Sequence, residues 1–385
     1  MNIVVLDITS RNAVQYNPAL CNALADNNDS GSVVLLSTEN YGDSNRYKFK
    51  KLFRLVPLSM DNSRSLVKRI LRAMEVLINY IYVIIYVACK QPNIVHFQWL
   101  PFIDVSLIEK YVLWSIKKMS SQTKLFLTVH NIYPHNIPEA SKERYRKRFL
   151  IVNNYIDGYL VHLKSSKDEL ISKFGVESTK VNIAYHGVYV PDVMKKKKQR
   201  TDDGKKRIIM YGFQTKYKGA DILIDALSLL PNDYLEKISP SIVGKTDPDL
   251  YAAYINKADS LGVEWINRFV PDEELYDMID NSDVILLPYR EISQSGVLLL
   301  ALSYRKCILT SDLPSFKETL EGYDGSWFFE HCNSKSLADM IERYVDGRID
   351  ENKIVNIIEK LNTKYSWDNT AKSTINAYNR SIKCF

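Results

Sequence analysis

The chain is short of the residues that build fibrous, low-complexity or disulfide-stapled proteins. Only 14 of its 385 residues are glycine and 13 are proline, which excludes collagen-like and low-complexity architectures. Five cysteines (Cys21, Cys89, Cys307, Cys332, Cys384) are scattered, unpaired in spacing and odd in number. Neither a disulfide framework nor a zinc site follows, and a reducing cytoplasm is the expected compartment. The N-terminus, MNIVVLDITSRNAVQ, has no basic segment ahead of its apolar run, and Asp7 interrupts that run. It reads as a buried first strand and not as a signal peptide. No GxGxxG follows this strand and no P-loop occurs anywhere, which speaks against a dinucleotide-dependent dehydrogenase. No nucleophile elbow with a Ser–His–Asp order is present, so hydrolase chemistry of that type lacks support. The longest apolar run, Val76–Cys89, would span only ~21 Å as a helix against about 30 Å of bilayer core. It reads either as a helix buried on a sheet or, with Arg64, Lys68, Arg69 and Arg72 just upstream, as an amphipathic helix resting on an anionic membrane face.

What is present is an ordinary globular composition, 46% hydrophobic and 25% charged, long enough for two domains. The net charge of +6 hides a split: residues 1–200 hold 29 lysines and arginines against 16 acids, the remainder 22 against 29. The two halves are expected to meet different partners, the first an anionic one. Strand-length apolar runs at Ile3–Ile8, Ser32–Leu36, Asn93–Gln98, Leu125–His130 and Gly158–Leu163 alternate with helical stretches such as Ser65–Lys90 and Val105–Lys118. Such alternation implies a parallel sheet with helices on both faces. Residues 191–206, PDVMKKKKQRTDDGKK, read as a solvated linker; Lys195–Lys198 lack interleaved aromatics, and nucleic acid is not an expected partner. A second series follows, with strands at RIIMYG, Ser241–Gly244, Val263–Phe269, Asp283–Pro288 and Cys307–Thr310, and then a helical segment Ile354–Ile382. The expected organisation is α/β: a domain 1–190, the linker, a domain 207–365, and a segment 366–385 returning to the first. In doubly wound domains ligands sit beyond the carboxyl ends of the strands.

Two patterns in the second half suit an anionic ligand. YGFQTKYKGA ends a strand at Gly212 and carries Lys216 and Lys218 into the start of a helix, where backbone N–H groups, the helix dipole and ammonium groups can meet a diphosphate. SDVILLPYREISQSGVLLLALS repeats the arrangement: a strand, a loop with Glu291, then Gln294, Ser295, Gly296 and Val297 opening an apolar helix. Ser295 is either part of an anion cradle or simply a helix cap. In the first half TVHNIYPH places His130 and Asn131 at a strand end with His135 beyond, and AYHG places His186 after another strand. His96 is either core or acceptor-facing. Asp247 and Asp249 form an acidic pair without further ligands, so no metal site is expected.

Taken together, these residues resemble the retaining GT-B-fold glycosyltransferases of family 4, many of which assemble bacterial capsule, exopolysaccharide or O-antigen. The resemblance runs through VHNIYPH, DGYLVHLKSSKDEL, AYHGVY, GFQTKYKGADILIDAL, NRFVPDEELYDMIDNSDVILLPY, SQSGV, CILTSDLPSFKE and YSW. It implies two Rossmann-like domains facing across a cleft, the first for the acceptor and the second for a UDP- or GDP-linked sugar, with neither cofactor nor metal required. Lys218 would bind the donor diphosphate, with Gly212, Thr215 and Lys216 beside it and the amides of Ser295, Gly296 and Val297 capping it. His130 would contact the donor sugar, Glu291 its hydroxyls, and Arg268 and Phe269 would flank the base. Asn131, His135 and His186 would line the acceptor side. The implied acceptor is a lipid-linked saccharide, met by an enzyme held peripherally on the inner face of the plasma membrane, where Arg64–Arg72 and Arg144–Arg148 could face anionic lipid. Three departures from the family pattern stand out: Thr215 stands where relatives often have arginine, the second glutamate is expected near Leu299 or Leu300, both apolar, and the glycine-rich turn after the first strand is missing. A sugar-nucleotide hydrolase or epimerase, or a degenerate partner subunit, are the alternative readings.

Overall fold

A computed structural model describes residues 1–8, 15–41, 44–54, 66–134, 137–189, 203–292 and 294–383, without the side chains of 66, 68 and 69. Arg64, His135, residues 191–202 of the expected linker, Ser293 and Cys384 lie outside the described residues. The chain divides into two units, Met1–His186 with Trp367–Phe385, and Gly187–Ser366.

In the first unit the elements run β1 (Asn2–Asp7), α1 (Tyr16–Asp26), β2 (Ser32–Ser37), β3 (Lys48–Lys51), α2 (Leu66–Lys90), β4 (Ile94–Phe97), α3 (Ile108–Met119), β5 (Lys124–Val129), α4 (Glu139–Asn153), β6 (Gly158–Val161), α5 (Lys164–Phe174) and β7 (Val181–Ile183). The strands form one sheet in the order β3-β2-β1-β4-β5-β6-β7, every pair parallel. β1, β2, β4, β5 and β6 are buried almost throughout because helices cover both faces. One face carries Val4, Leu6, Val95, Leu125 and Leu127 against Val76, Tyr80, Val83 and Val87 of α2 and against Leu113 and Phe149. The opposite face carries Ile3, Val5, Leu35 and Phe126 against Leu20 and Leu24 of α1 and Ala371, Ala377 and Tyr378 near the end of the chain.

The second unit runs β8 (Lys206–Tyr211), α6 (Ala220–Leu227), α7 (Asn232–Leu235), β9 (Ile238–Val243), α8 (Pro248–Ser260), β10 (Glu264–Ile266), α9 (Asp272–Asp280), β11 (Val284–Leu287), α10 (Gly296–Ser303), β12 (Cys307–Ser311), α11 (Pro314–Thr319), β13 (Phe328–Phe329), α12 (Ser334–Val345) and α13 (Glu351–Lys364). Its sheet is parallel with the order β10-β9-β8-β11-β12-β13. A last helix, α14 (Trp367–Lys383), belongs to the first unit. In both sheets the order reverses beside the first strand, between β1 and β4 and between β8 and β11. Strand-end loops part there, and ligands settle in the gap.

Several element limits differ from the sequence expectation. The helix expected at Val105–Lys118 starts at Ile108, because residues 101–105 form turns. The segment Ile354–Ile382 is not one helix; it breaks at Tyr365 and Ser366, where the Tyr365 carbonyl accepts from Val188 N–H. β3 and β13 carry no long apolar run and were not expected, whereas β7 is the strand expected ahead of His186.

Candidate functional site

In the second unit the reversal point is built by close backbone approach. Gly212 ends β8 with φ +97°, and a Cβ there would stand 2.6 Å from Lys218 Nζ and 3.3 Å from Val297 Cγ2. Gly219 has φ +77°, and a Cβ on it would strike the Pro288 carbonyl at 2.0 Å. Bare backbone at these two positions lets the β8 end, the lysine turn and the first turn of α10 converge. Residues 216–218 form a single 3-10 turn opened by Thr215, whose carbonyl accepts from Lys218 N–H at 2.9 Å. The turn folds Lys218 inward and leaves Lys216 exposed.

Lys218 is 5% exposed, and burial lowers its pKa to about 8. Among the described residues no carboxylate lies within salt-bridge distance of it; the nearest charge-seeking contact is the Tyr289 ring, 5.6 Å from Nζ. A buried ammonium without a counter-ion is costly and looks for an anion. Close by, the fully buried Gln214 donates to the Gly212 carbonyl at 2.8 Å while its Oε1 has no partner among the described residues.

Ser295 resolves in favour of the helix cap. Its hydroxyl accepts from Leu298 N–H at 3.1 Å, and its carbonyl from Leu299 N–H. Capping leaves the N–H groups of Gly296 and Val297 at the positive end of α10 without described acceptors. Tyr211 fixes this end by donating from its hydroxyl to the Val297 carbonyl at 2.9 Å. Gln294 is half-buried beside the cap, whereas Glu291 is exposed on the loop.

Arg290, a residue that sequence reasoning missed, ties the two loops together. Its guanidinium grips Asp221 at 2.8 and 2.7 Å and donates to the Lys216 carbonyl at 2.7 Å, while its N–H bonds the Tyr217 carbonyl. Such a bidentate pair fixes orientation as well as distance. Arg268 is exposed and forked onto Glu274, and Phe269 stands 79% exposed after β10. Asp247 caps α8 by accepting from Asp249 and Leu250 N–H, so the acidic pair is structural.

In the first unit His130 is half-buried at the end of β5 and stacks on Trp99 with ring centroids 4.8 Å apart. It belongs to a chain of polar contacts. His162 Nδ1 meets the Ala184 carbonyl at 2.8 Å, His162 Nε2 meets His130 Nδ1 at 3.3 Å, and His130 Nε2 lies 3.3 Å from Gln98 Oε1. A carbonyl only accepts, so neutral His162 carries its proton on Nδ1 and presents Nε2 as an acceptor. His130 therefore faces an acceptor on each side, His162 Nε2 and Gln98 Oε1, and the single proton of its neutral ring serves one of them at a time. His96, fully buried, contacts Thr128 Oγ1 at 2.6 Å through Nε2 and the Tyr378 hydroxyl at 2.7 Å through Nδ1, which places it in the core and not facing a ligand. Burial lowers the pKa of His96 to about 3 and of His162 to about 4, and pushes that of His130 well below its usual value. His186 is packed against Tyr16 and Trp367.

His130 and Asn131 also line a cavity of about 490 Å³ at the β1/β4 reversal point, with Trp99, Phe102, Arg54 and Arg72 among its walls. The Arg144–Arg148 group is largely engaged within the fold: Arg146 pairs with Glu143, and Arg148 donates to the Ile103 and Asp104 carbonyls.

Residues 194–361 match the family model described as glycosyl transferases group 1. An uncharacterized glycosyltransferase of Methanocaldococcus jannaschii is 26% identical over 230 residues, covering 56% of this chain and 58% of the relative, so the chain matches little more than half the length of that protein. Sucrose-phosphate synthase from Thermosynechococcus elongatus has TM-score 0.71 at 14% identity, over 100% of both chains. Anabaena HepE in complex with UDP has TM-score 0.67 at 12% identity, over 98% of this chain and 100% of that one. The two parallel-sheet units with these structural neighbours establish the GT-B fold, and the family match adds support for a glycosyltransferase.

Proposed function

We propose that the protein transfers a hexosyl residue from a nucleotide diphosphate sugar to a saccharide acceptor carried on a lipid, in the assembly of a cell-surface polysaccharide. The observation that carries this reading is the buried, counter-ion-free ammonium of Lys218 beside Gly212 and the first turn of α10. A diphosphate supplies the missing anion: Lys218 and the Gly296 and Val297 N–H groups would hold it, and Arg290 keeps the lysine turn in register. UDP is the first candidate base, because the Anabaena neighbour binds UDP; GDP is the second. The exposed Phe269 would offer a face for the base.

The mechanism proposed with the family resemblance is a retaining, same-face substitution that needs no metal. The bond from the sugar's anomeric carbon to the diphosphate oxygen breaks as the acceptor hydroxyl oxygen bonds to that carbon. The hydroxyl proton passes to the departing phosphate oxygen. Lys218 and the α10 dipole stabilise the charge that develops on the diphosphate, the preorganised electrostatic contribution that dominates many such steps. His130 would enter as a neutral imidazole that contacts the donor sugar, and Glu291 as an acceptor for its hydroxyls.

Calorimetric titration with UDP, GDP and their sugars tests the donor reading, since stabilisation follows ligand concentration over Kd. The expected result is tight binding of one diphosphate and its loss in Lys218→Ala; equal binding by that variant would overturn the assignment. Product analysis with and without a lipid-linked saccharide then separates transfer from hydrolysis or epimerisation.

A further inference from the structure

α2 is apolar on two opposite sides. Val76, Tyr80, Val83 and Val87 face the sheet and are buried. Ile70, Met74, Leu77, Ile81 and Ile85 recur at three- and four-residue spacing along the other side and are between 49% and 56% exposed. One side explains the helix as core; the outer stripe has no use in water. α3 packs beside α2 on the same face of the sheet and exposes Tyr111, Trp114 and Met119. Of the sixteen large apolar side chains exposed among the described residues, eleven lie on these two helices, so the patch is concentrated and not the usual scatter.

Charge selects the occupant. The sequences of α2 and α3 hold seven lysines and arginines and two glutamates, Glu75 and Glu109; Lys117 is paired with Asp157 within the fold, and Glu109 is buried, accepting from the Tyr80 hydroxyl and from Phe102 N–H. Lys110 and Lys118 lie over the Tyr111 and Trp114 rings, 5.4 and 5.0 Å from their centroids. A second copy of this chain would set this basic surface against itself, whereas anionic lipid headgroups neutralise it while the stripe enters the acyl boundary. Aromatic rings under lysines suit that boundary.

We infer that the outer faces of α2 and α3 dock on an anionic lipid bilayer, with α2 lying in the interface. The stretch Ile70–Lys90 is long and apolar enough to cross a membrane, but crossing would strip its inner side from the core. Asn79, which bonds both the N–H and the carbonyl of Phe53 at 2.9 and 2.8 Å, would lose its partners. Docking has a consequence that rests on the proposed transferase reading: Arg72, Glu75 and Val76 line the 490 Å³ cavity from the side of α2 away from the stripe, so the cavity would lie one helix diameter, ~10 Å, from a lipid surface where an acceptor with an anionic headgroup and an apolar tail resides.

The test is sedimentation of the full chain with vesicles of phosphatidylcholine alone or with one-third phosphatidylglycerol, beside calorimetric UDP binding. The inference expects binding to the mixed vesicles only, weakened by salt, lowered at least tenfold in Ile81→Glu/Ile85→Glu and about fivefold for each of Lys110→Ala and Lys118→Ala. Circular dichroism melting shows that these surface variants fold, and their UDP binding stays unchanged. Equal binding to neutral vesicles, binding untouched by the substitutions, or a dimer that the same substitutions dissolve would each overturn it. Loss of UDP binding with intact vesicle binding would instead defeat the transferase reading alone.

Discussion

Each unit buries a polar cluster at its strand ends, and the two clusters treat charge in opposite ways. In the first unit His96, His130 and His162 sit in a chain of contacts closed by the Ala184 carbonyl at one end and Tyr378 at the other. Burial keeps them neutral, and each ring nitrogen has a polar partner within the fold. In the second unit Lys218 carries a proton without a counter-ion, and Gln214 Oε1 has no partner among the described residues. A satisfied network fixes geometry; an unsatisfied one stores affinity for something absent. The contrast teaches that burial of polar groups is by itself silent about function, and that the missing partner is the signal.

The contrast breaks most visibly at Lys218. Removing the ammonium in Lys218→Ala should lower turnover by about 2–4 kcal/mol of transition-state stabilisation, read as kcat/KM with the donor identified by calorimetry. Lys218→Met should do the reverse to the fold. The folded pKa of about 8 lies below the 10.5 of an exposed lysine, so the charged lysine opposes folding below pH 8. Replacing it should raise stability at pH 7 by on the order of 3 kcal/mol, a gain that fades as pH rises from 8 to 10.5. A destabilised Lys218→Met would show that the site is internally compensated after all. Affinity for UDP should likewise fall about tenfold per pH unit above 8, as the free enzyme loses that proton.

His162 sharpens the other side. His162→Leu strands the Ala184 carbonyl and takes the ring partner from His130 Nδ1, and should cost about 1–3 kcal/mol in denaturant unfolding, while calorimetric UDP binding stays as it was. Smallest is Tyr378→Phe, which takes the hydroxyl from His96 Nδ1 and should cost about 1 kcal/mol. An unchanged midpoint in that variant would mean the chain of contacts is not a unit.

The α/β alternation, the two parallel sheets and the convergence of the KG turn with the SQSGV helix start were legible because they depend on local runs and turn chemistry. What escaped depends on partners far away in sequence. Arg290 meets Asp221 across 69 positions, and nothing near either residue announces the other. His162 looked like one more strand residue in GYLVHL; only the Ala184 carbonyl beside it gives it a role. β3, KFKK, is an edge strand paired on one side and carries no hydrophobic signature. The break at Tyr365–Ser366 was hidden by an amphipathic pattern that persists on both sides of it. For α2, composition suggested core or membrane as alternatives, whereas the structure gives the two sides of one helix separate surroundings.

The placement of α14 governs the order in which the protein can mature on the ribosome. One layer of the first unit's core waits for Ala371, Ala377 and Tyr378, and these emerge only after the whole of Gly187–Ser366 has been made. At about 5–20 residues per second, the sheet face under α14 stays bare for roughly 10–40 s. During that interval the second unit can complete itself, so the first part of the chain to be synthesised is the last to be finished.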